Sequence, residues 1–463
     1  MPNARGGRGR GESVRDPGDR EHGELRALAS RAVRSPFAMA LLVYVCAEIV
    51  LALSCPGDRV TAHTPFNHFA LLADAWLHGR LDLGGPPPDY TGFNDFAVYE
   101  GKYYVTFPPM PAVLILPLVA LSRSVDAVQD GRFFIALAGL GPATVYLALD
   151  RLSSARLSVR TRGENLFLAF AFAFATVFWF TAVQGTVWFA AHVVAVVFAA
   201  LYLYASVDAR RPVLAGLCLG CAIATRTPLF FAAPLFACEL VRSARARSAR
   251  GELFDPRSGF LTRGIAFAAP LLAVLGLLAW HNQARFGSPF EFGHRFLAIV
   301  WKTRIDKWGL FSVHYLGRNL GVMLTAMPFV GARGTPPQIN AHGLALTLTS
   351  PFFLWVLWPR IRGRTRVRSM YVALAVSALG VAIPDLLYQN SGWIQFGYRF
   401  SNDFAVFLVA MIAVGGRKLG PAFGAAVAFA FAVNAFGAFT FQRPGYEKYY
   451  FLERTQAVIY EPD

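Results

Sequence analysis

Charge is scarce in this 463-residue sequence: 16% of the residues are Asp, Glu, Lys or Arg, against 55% hydrophobic. A soluble domain needs a charged surface that this composition does not supply. Acids are scarcer still, 28 against 44 Lys and Arg, for a formal net charge of +16. Five cysteines give no disulfide framework, and Cys46, Cys218, Cys221 and Cys238 lie in apolar runs. Cys218 and Cys221 form a CxxC without a nearby histidine, which reads as small residues at a helix contact rather than a zinc or redox site. A Walker loop, a GxSxG elbow, HExxH and zinc spacing are all missing. With no nucleotide site legible, an enzyme built on this chain would have to use a lipid-linked donor.

What is present is apolar sequence of membrane-spanning length, recurring from residue 36 to residue 440. The spacing predicts an all-α polytopic membrane protein of about eleven transmembrane helices, including runs at 165–183, 212–225, 228–241, 342–358 and 402–415. Residues 1–35 read as a disordered basic cytoplasmic tail, 36–440 as one integral membrane domain, and 441–463 as an outside tail. No small-residue cleavage pattern follows the first run, so it is read as a retained helix. The run 109–122 is too short for a span and holds Pro109, Pro111 and Pro117, as an interfacial or re-entrant segment would. If it does not cross, the arginine clusters at 151–162, 210–211, 242–263, 360–368 and 417–418 all fall on the side of the amino terminus. The positive-inside rule then places that side in the cytoplasm, in a cell inner membrane. The arginines are thereby explained as topology signals, and nucleic acid is not an expected partner.

That topology leaves two large outside loops, 55–131 and 282–341. The first holds Asp74, Asp82 and Asp95. Its early part has helical apolar spacing, with Phe69, Leu72, Ala73 and Trp76 on one face, as in an amphipathic helix on the membrane surface. Alternation around Gly101 predicts a short hairpin, then Pro108 and Pro109 stiffen the chain. Asp95 at that boundary could act as general base or metal ligand; a solvated turn aspartate is the simpler reading. Two segments echo each other, Phe292-Gly293-His294-Arg295-Phe296 and Phe396-Gly397-Tyr398-Arg399-Phe400. An arginine in an aromatic, glycine-relaxed loop suits an anionic head group, though an interfacial anchor would use the same residues. Arg285 lies near the first echo, and Asp403, four residues after Arg399, is placed to neutralise it. Arg226, between two short apolar runs, and His192 beside Trp188-Phe189 are intramembrane ionisable residues and so candidates for function.

These motifs resemble the GT-C superfamily of membrane glycosyltransferases, in particular bacterial relatives of the protein O-mannosyltransferases and the aminoarabinose transferase of lipid A. The matching stretches are FALLADAWLHGRLDL, YEGKYYVTFPPMPAVLILPL, GLCLGCAIATRTPLFFAAPLF, RFGSPFEFGHRF and GWIQFGYRFSNDF, over roughly residues 36–415. The resemblance implies a GT-C-like fold with a large outside first loop carrying interfacial helices. It implies transfer of a sugar from a polyprenyl-phosphate carrier to an envelope glycan, lipid or protein acceptor at the outer face, by an inverting reaction. Family members usually carry an Asp soon after the first span; here that stretch reads Thr64-Pro65-Phe66-Asn67. A divalent cation therefore stays an open option. Asp95 is the expected catalytic carboxylate, with Asp74 and Asp82 behind it. Arg226, Arg285, His294, Arg295, Tyr398 and Arg399 are the expected substrate-binding residues. A non-catalytic lipid-binding or flipping protein of the same fold is the alternative, and a secondary transporter fits less well because only 212–241 looks broken.

Overall fold

The computed structural model describes residues 35–248, 259–299, 301–331, 333–361 and 363–452. The expected tail thus lies outside the described residues apart from Ser35, as do 453–463. The chain is a polytopic helical membrane protein. Among the described residues six helices are long and apolar enough to cross a membrane: Pro36–Ser54, Asp130–Ser154, Val187–Ala209, Phe260–Phe286, Thr365–Leu387 and Pro421–Thr440. The first begins where Ser35 caps the amide of Ala38 and Pro36 occupies the first turn. Val187–Ser206 is buried along most of its length, whereas few residues of Phe260–Phe286 are buried within the protein. In a bilayer the latter is covered by lipid.

The other five expected spans fold as shorter or interrupted helices. The run 342–358 is not a continuous helix: Leu346–Thr349 makes one turn, Ser350 leaves the helical region, and Pro351–Leu357 winds as a 3-10 helix. A residue before proline is pushed out of the helical region, which accounts for the break. In 165–183 the helix Arg162–Phe174 stops and Phe178–Ala182 resumes, with the Thr176 hydroxyl accepting from the Phe178 amide in between. Pro212–Ile223 is followed by a 3-10 turn at Thr227–Ala232 and then by Pro234–Ser248. Asn402–Val414 has 13 residues, about 20 Å of helix against a hydrocarbon core of about 30 Å.

Small residues let these short helices approach their neighbours. A Cβ at Gly216 would meet the Phe267 carbonyl, and one at Gly220 would meet Val274, both on the long exposed helix. Cys218 and Cys221 are buried free thiols on the same short helix.

In the first loop, His68–Leu77 is helical but buried on nearly every side rather than along one stripe. It packs on Met110–Leu121, whose 12 residues give about 18 Å. Between them Phe96–Tyr99 and Lys102–Val105 pair antiparallel around Glu100 and Gly101, both with positive φ, as a two-residue hairpin turn requires. Ala97 bridges to Leu297, tying this hairpin to the second loop. The start of the expected outside tail returns to the same loop, where Tyr450–Phe451 pairs with Ile339–Asn340.

The arginine-rich connectors meet at one end of the bundle. Asp208 accepts from Arg151 at 3.2 Å, Arg242 at 2.5 Å and Arg366 at 2.6 Å. Arg160 reaches the carbonyls of Ile412 and Arg417 nearby in the same set of connectors.

Candidate functional site

A cavity of about 980 Å³ opens at the other end. Two helices fix that relation. Val187–Ser206 starts at the cavity with Trp188 and His192 and ends beside Asp208, about 30 Å away along its 20 residues. Thr365–Leu387 carries Arg366 at its arginine end and Asp385 at the cavity.

Non-adjacent loops supply the walls: 91–95 and 106–108 from the first loop, 290–299 and Trp301 from the second, and 388–394 with Arg399 and Phe400 before the Asn402 helix. Backbone strain concentrates there. Phe93, Asp95, Trp393, Ile394 and Gln442 line the cavity and are five of the nine non-glycine residues with positive φ among the described residues. Such conformations cost about 1–3 kcal/mol each and persist where the surroundings over-determine them, commonly at functional sites.

Asp95 has φ 62°, a left-handed conformation that aspartate tolerates better than most residues. Its Oδ2 accepts from Trp188 Nε1 at 2.6 Å. Burial raises its carboxyl above the ordinary range, opposed by the Trp188 bond and by the charge of Arg399. Asp74 and Asp82 stand away from the cavity, one beside His78 at 3.6 Å, the other 3.7 Å from Lys102 and capping the Gly84 amide.

The two echoed motifs converge on this one cavity, through Arg295 and Arg399, but present their arginines differently. Arg295 is mostly exposed and 3.6 Å from Glu291. Arg399 is buried against the rings of Phe189 and Phe400 and donates Nη1 to the Trp393 carbonyl at 3.0 Å. Its Nε is buried without a partner, and it makes no ion pair among the described residues. Burial, then the charge of Arg226, bring this guanidinium down to about 9, so it stays charged at neutral pH. His294 also lines the cavity, with its imidazole lowered to about 4 by burial and by the charges of Arg285 and Arg226.

Asp403 does not neutralise Arg399. Its Oδ2 accepts from Arg226 Nε at 2.8 Å and Nη2 at 2.6 Å, and its Oδ1 lies 2.9 Å from His192 Nδ1. Arg226 Nη2 also reaches Asp385 Oδ1 at 3.4 Å. Arg226 thus lines the cavity with its charge already balanced by two carboxylates. Arg285 lies elsewhere: it donates to the Val105 and His281 carbonyls and to Asn282 Oδ1, clamping the hairpin to the end of its helix. Tyr398 is fully buried and does not line the cavity. Asp385, Asp403 and Trp188 are the site residues least visible in sequence. Their roles depend on partners 93 to 211 positions away.

Among the described residues no three of His, Cys, Asp or Glu stand close enough together to hold a metal ion.

Fold and site together define a helical membrane protein with a polar cavity at the end remote from its arginine clusters. No family model matches the chain, and no curated protein does. Among solved structures it is similar to the crystal structure of the Archaeoglobus fulgidus oligosaccharyltransferase in the apo form, at 15% identity and TM-score 0.49 over 90% of this chain and 60% of that one. It is also similar to the archaeal oligosaccharyltransferase AglB from Archaeoglobus fulgidus in complex with an inhibitory peptide and a dolichol-phosphate, at 13% identity and TM-score 0.45, covering 87% and 56%. The chain therefore spans about three fifths of the length of those proteins. With TM-scores below 0.5 these likenesses decide nothing about the site, which rests on its own residues.

Proposed function

We propose that this protein is an inverting GT-C-type glycosyltransferase that moves a sugar from a polyprenyl-phosphate carrier to an envelope acceptor at the outer face of the membrane. The observation that carries the reading is the pairing of unlike groups in one cavity. Asp95 keeps one carboxylate oxygen without a protein partner, and Arg399 is a buried guanidinium without a counter-ion. A buried cation with no carboxylate in ion-pair contact calls for an anion, and a fixed guanidinium fork suits phosphate oxygens. The lipid-facing helices around it suit a donor with a polyprenyl tail.

In this mechanism Arg399, with Arg295 at the rim, holds the carrier phosphate and stabilises the charge it gains on leaving. Asp95 takes the proton of the acceptor hydroxyl as that oxygen attacks the anomeric carbon from the face opposite the phosphate. The bond to phosphate breaks and its electron pair leaves with the carrier. Arg226 acts from below, its charge committed to the floor. The outer-face assignment follows from the positive-inside rule applied to the connectors around Asp208.

Two measurements test the reading. Envelope glycans of a deletion strain should lose a glycosylated species that wild-type protein restores and Asp95→Asn does not. Farnesyl phosphate, a short carrier mimic, should bind the purified protein, with Arg399→Ala weakening it about ten- to a hundredfold, the loss of a charge-assisted hydrogen bond. Unchanged glycans together with no farnesyl phosphate binding would refute the assignment.

A further inference from the structure

The floor of the cavity holds groups that the mechanism above leaves unused. His192 is 1% and Asp385 3% exposed, and both line the cavity. Asp403, ionised by its contact with Arg226, can only accept, so His192 must carry its proton on Nδ1. That leaves Nε2 as a lone-pair acceptor, and it has no partner. Asp385 spends Oδ1 on Arg226, and its Oδ2 likewise has none. Buried polar atoms are nearly always hydrogen-bonded, and leaving one unsatisfied costs about 1–3 kcal/mol. Two such acceptors on one polar floor, with no protein donor for either, mark a place where a ligand brings the donors.

We infer that His192 Nε2 and Asp385 Oδ2 accept hydrogen bonds from hydroxyl groups of the donor's sugar, so that the site takes a neutral sugar and rejects a uronic acid. This rests on the glycosyltransferase reading. The floor lies about one helical turn beyond Trp188, the residue that holds Asp95, since Trp188 and His192 share a face of one helix. A sugar seated on it shares one cavity with Asp95 and Arg399. The floor's ion pairs support the same selection. Arg226 is already shared between two carboxylates, Asp385 and Asp403, so at this floor a ligand carboxylate would meet lone pairs rather than free donors. Hydroxyl groups meet acceptors.

The test uses farnesyl phosphate and its mannosyl, glucosyl, arabinosyl and glucuronosyl phosphodiesters, titrated against the full-length protein in detergent. The neutral conjugates should bind about tenfold or more tighter than the glucuronosyl one. His192→Asn retains a donor where Nδ1 stands, keeping the bond to Asp403, and removes the Nε2 acceptor. It should cost the neutral conjugates about tenfold and leave farnesyl phosphate unchanged. Asp385→Asn turns an acceptor into a donor and should narrow or reverse the preference against glucuronate. A glucuronosyl conjugate that binds wild-type protein as tightly as the neutral ones overturns the inference by itself. So does His192→Asn affecting farnesyl phosphate and the neutral conjugates alike. Farnesyl phosphate failing to bind at all removes the lipid-phosphate reading and this one with it.

Discussion

Replacing Arg226 by methionine should destabilise the protein more than any change on its exposed faces. The guanidinium supplies both bonds received by Asp403 Oδ2 and the ion pair of Asp385. Methionine fills similar volume but leaves two carboxylates, 1% and 3% exposed, without their cation. Removing one partner of a buried ion pair costs about 3–5 kcal/mol, because the other charge stays out of water. Here two carboxylates are stranded, so the upper end applies, and the apparent unfolding temperature should fall by roughly 10 °C. Following the loss of monodisperse protein on heating in detergent measures this. The companion variant carries Arg226→Met with Asp385→Asn and Asp403→Asn, which removes the charges together. It should recover most of the loss, because the cost is one of stranded charge rather than lost packing. An Arg226→Met protein within about 2 °C of wild type would refute the network, and a triple variant no better than the single one would refute the electrostatic cause.

Asp95→Asn keeps the side-chain shape and removes the basic oxygen, so transfer should fall by about 10²–10⁴ while farnesyl phosphate affinity barely changes; equal turnover would clear Asp95 of that role. Trp188→Phe removes the donor that favours ionised Asp95, which raises a carboxyl already lifted by burial. Since the base works ionised and is lost as pH falls, the acid limb of the pH–rate profile should move to higher pH, with roughly ten- to a hundredfold less activity below it; an unmoved limb would count against Asp95 as base. Arg399→Lys retains charge but not the fork and should weaken farnesyl phosphate about tenfold, whereas Arg285→Lys, outside the cavity, should leave it alone. In a background with the native cysteines replaced, Ser124→Cys and Ser154→Cys should label from opposite faces of the membrane, since Asp130–Ser154 lies between them; labelling from the same face would sink the topology.

By itself the sequence determined that this chain is a helical membrane protein, because long apolar runs have no other stable home. It also placed the hairpin at Gly101, where two consecutive positive φ angles are needed, and singled out the paired FGxRF loops and Asp95 as polar features in apolar surroundings. Helix continuity was less legible. The run 342–358 is apolar enough to span, yet Ser350 before Pro351 breaks it, and composition does not register a backbone clash. Charge pairing was not legible at all. Sequence proximity pairs Asp403 with Arg399, but a helix start packed against the Val187–Ser206 helix and the turn after Pro212–Ile223 hands that carboxylate to His192 and Arg226 instead. Arg399 is left without a counter-ion for that reason. A buried charge takes the partner that packing brings within about 3 Å, and only the tertiary structure decides which one that is.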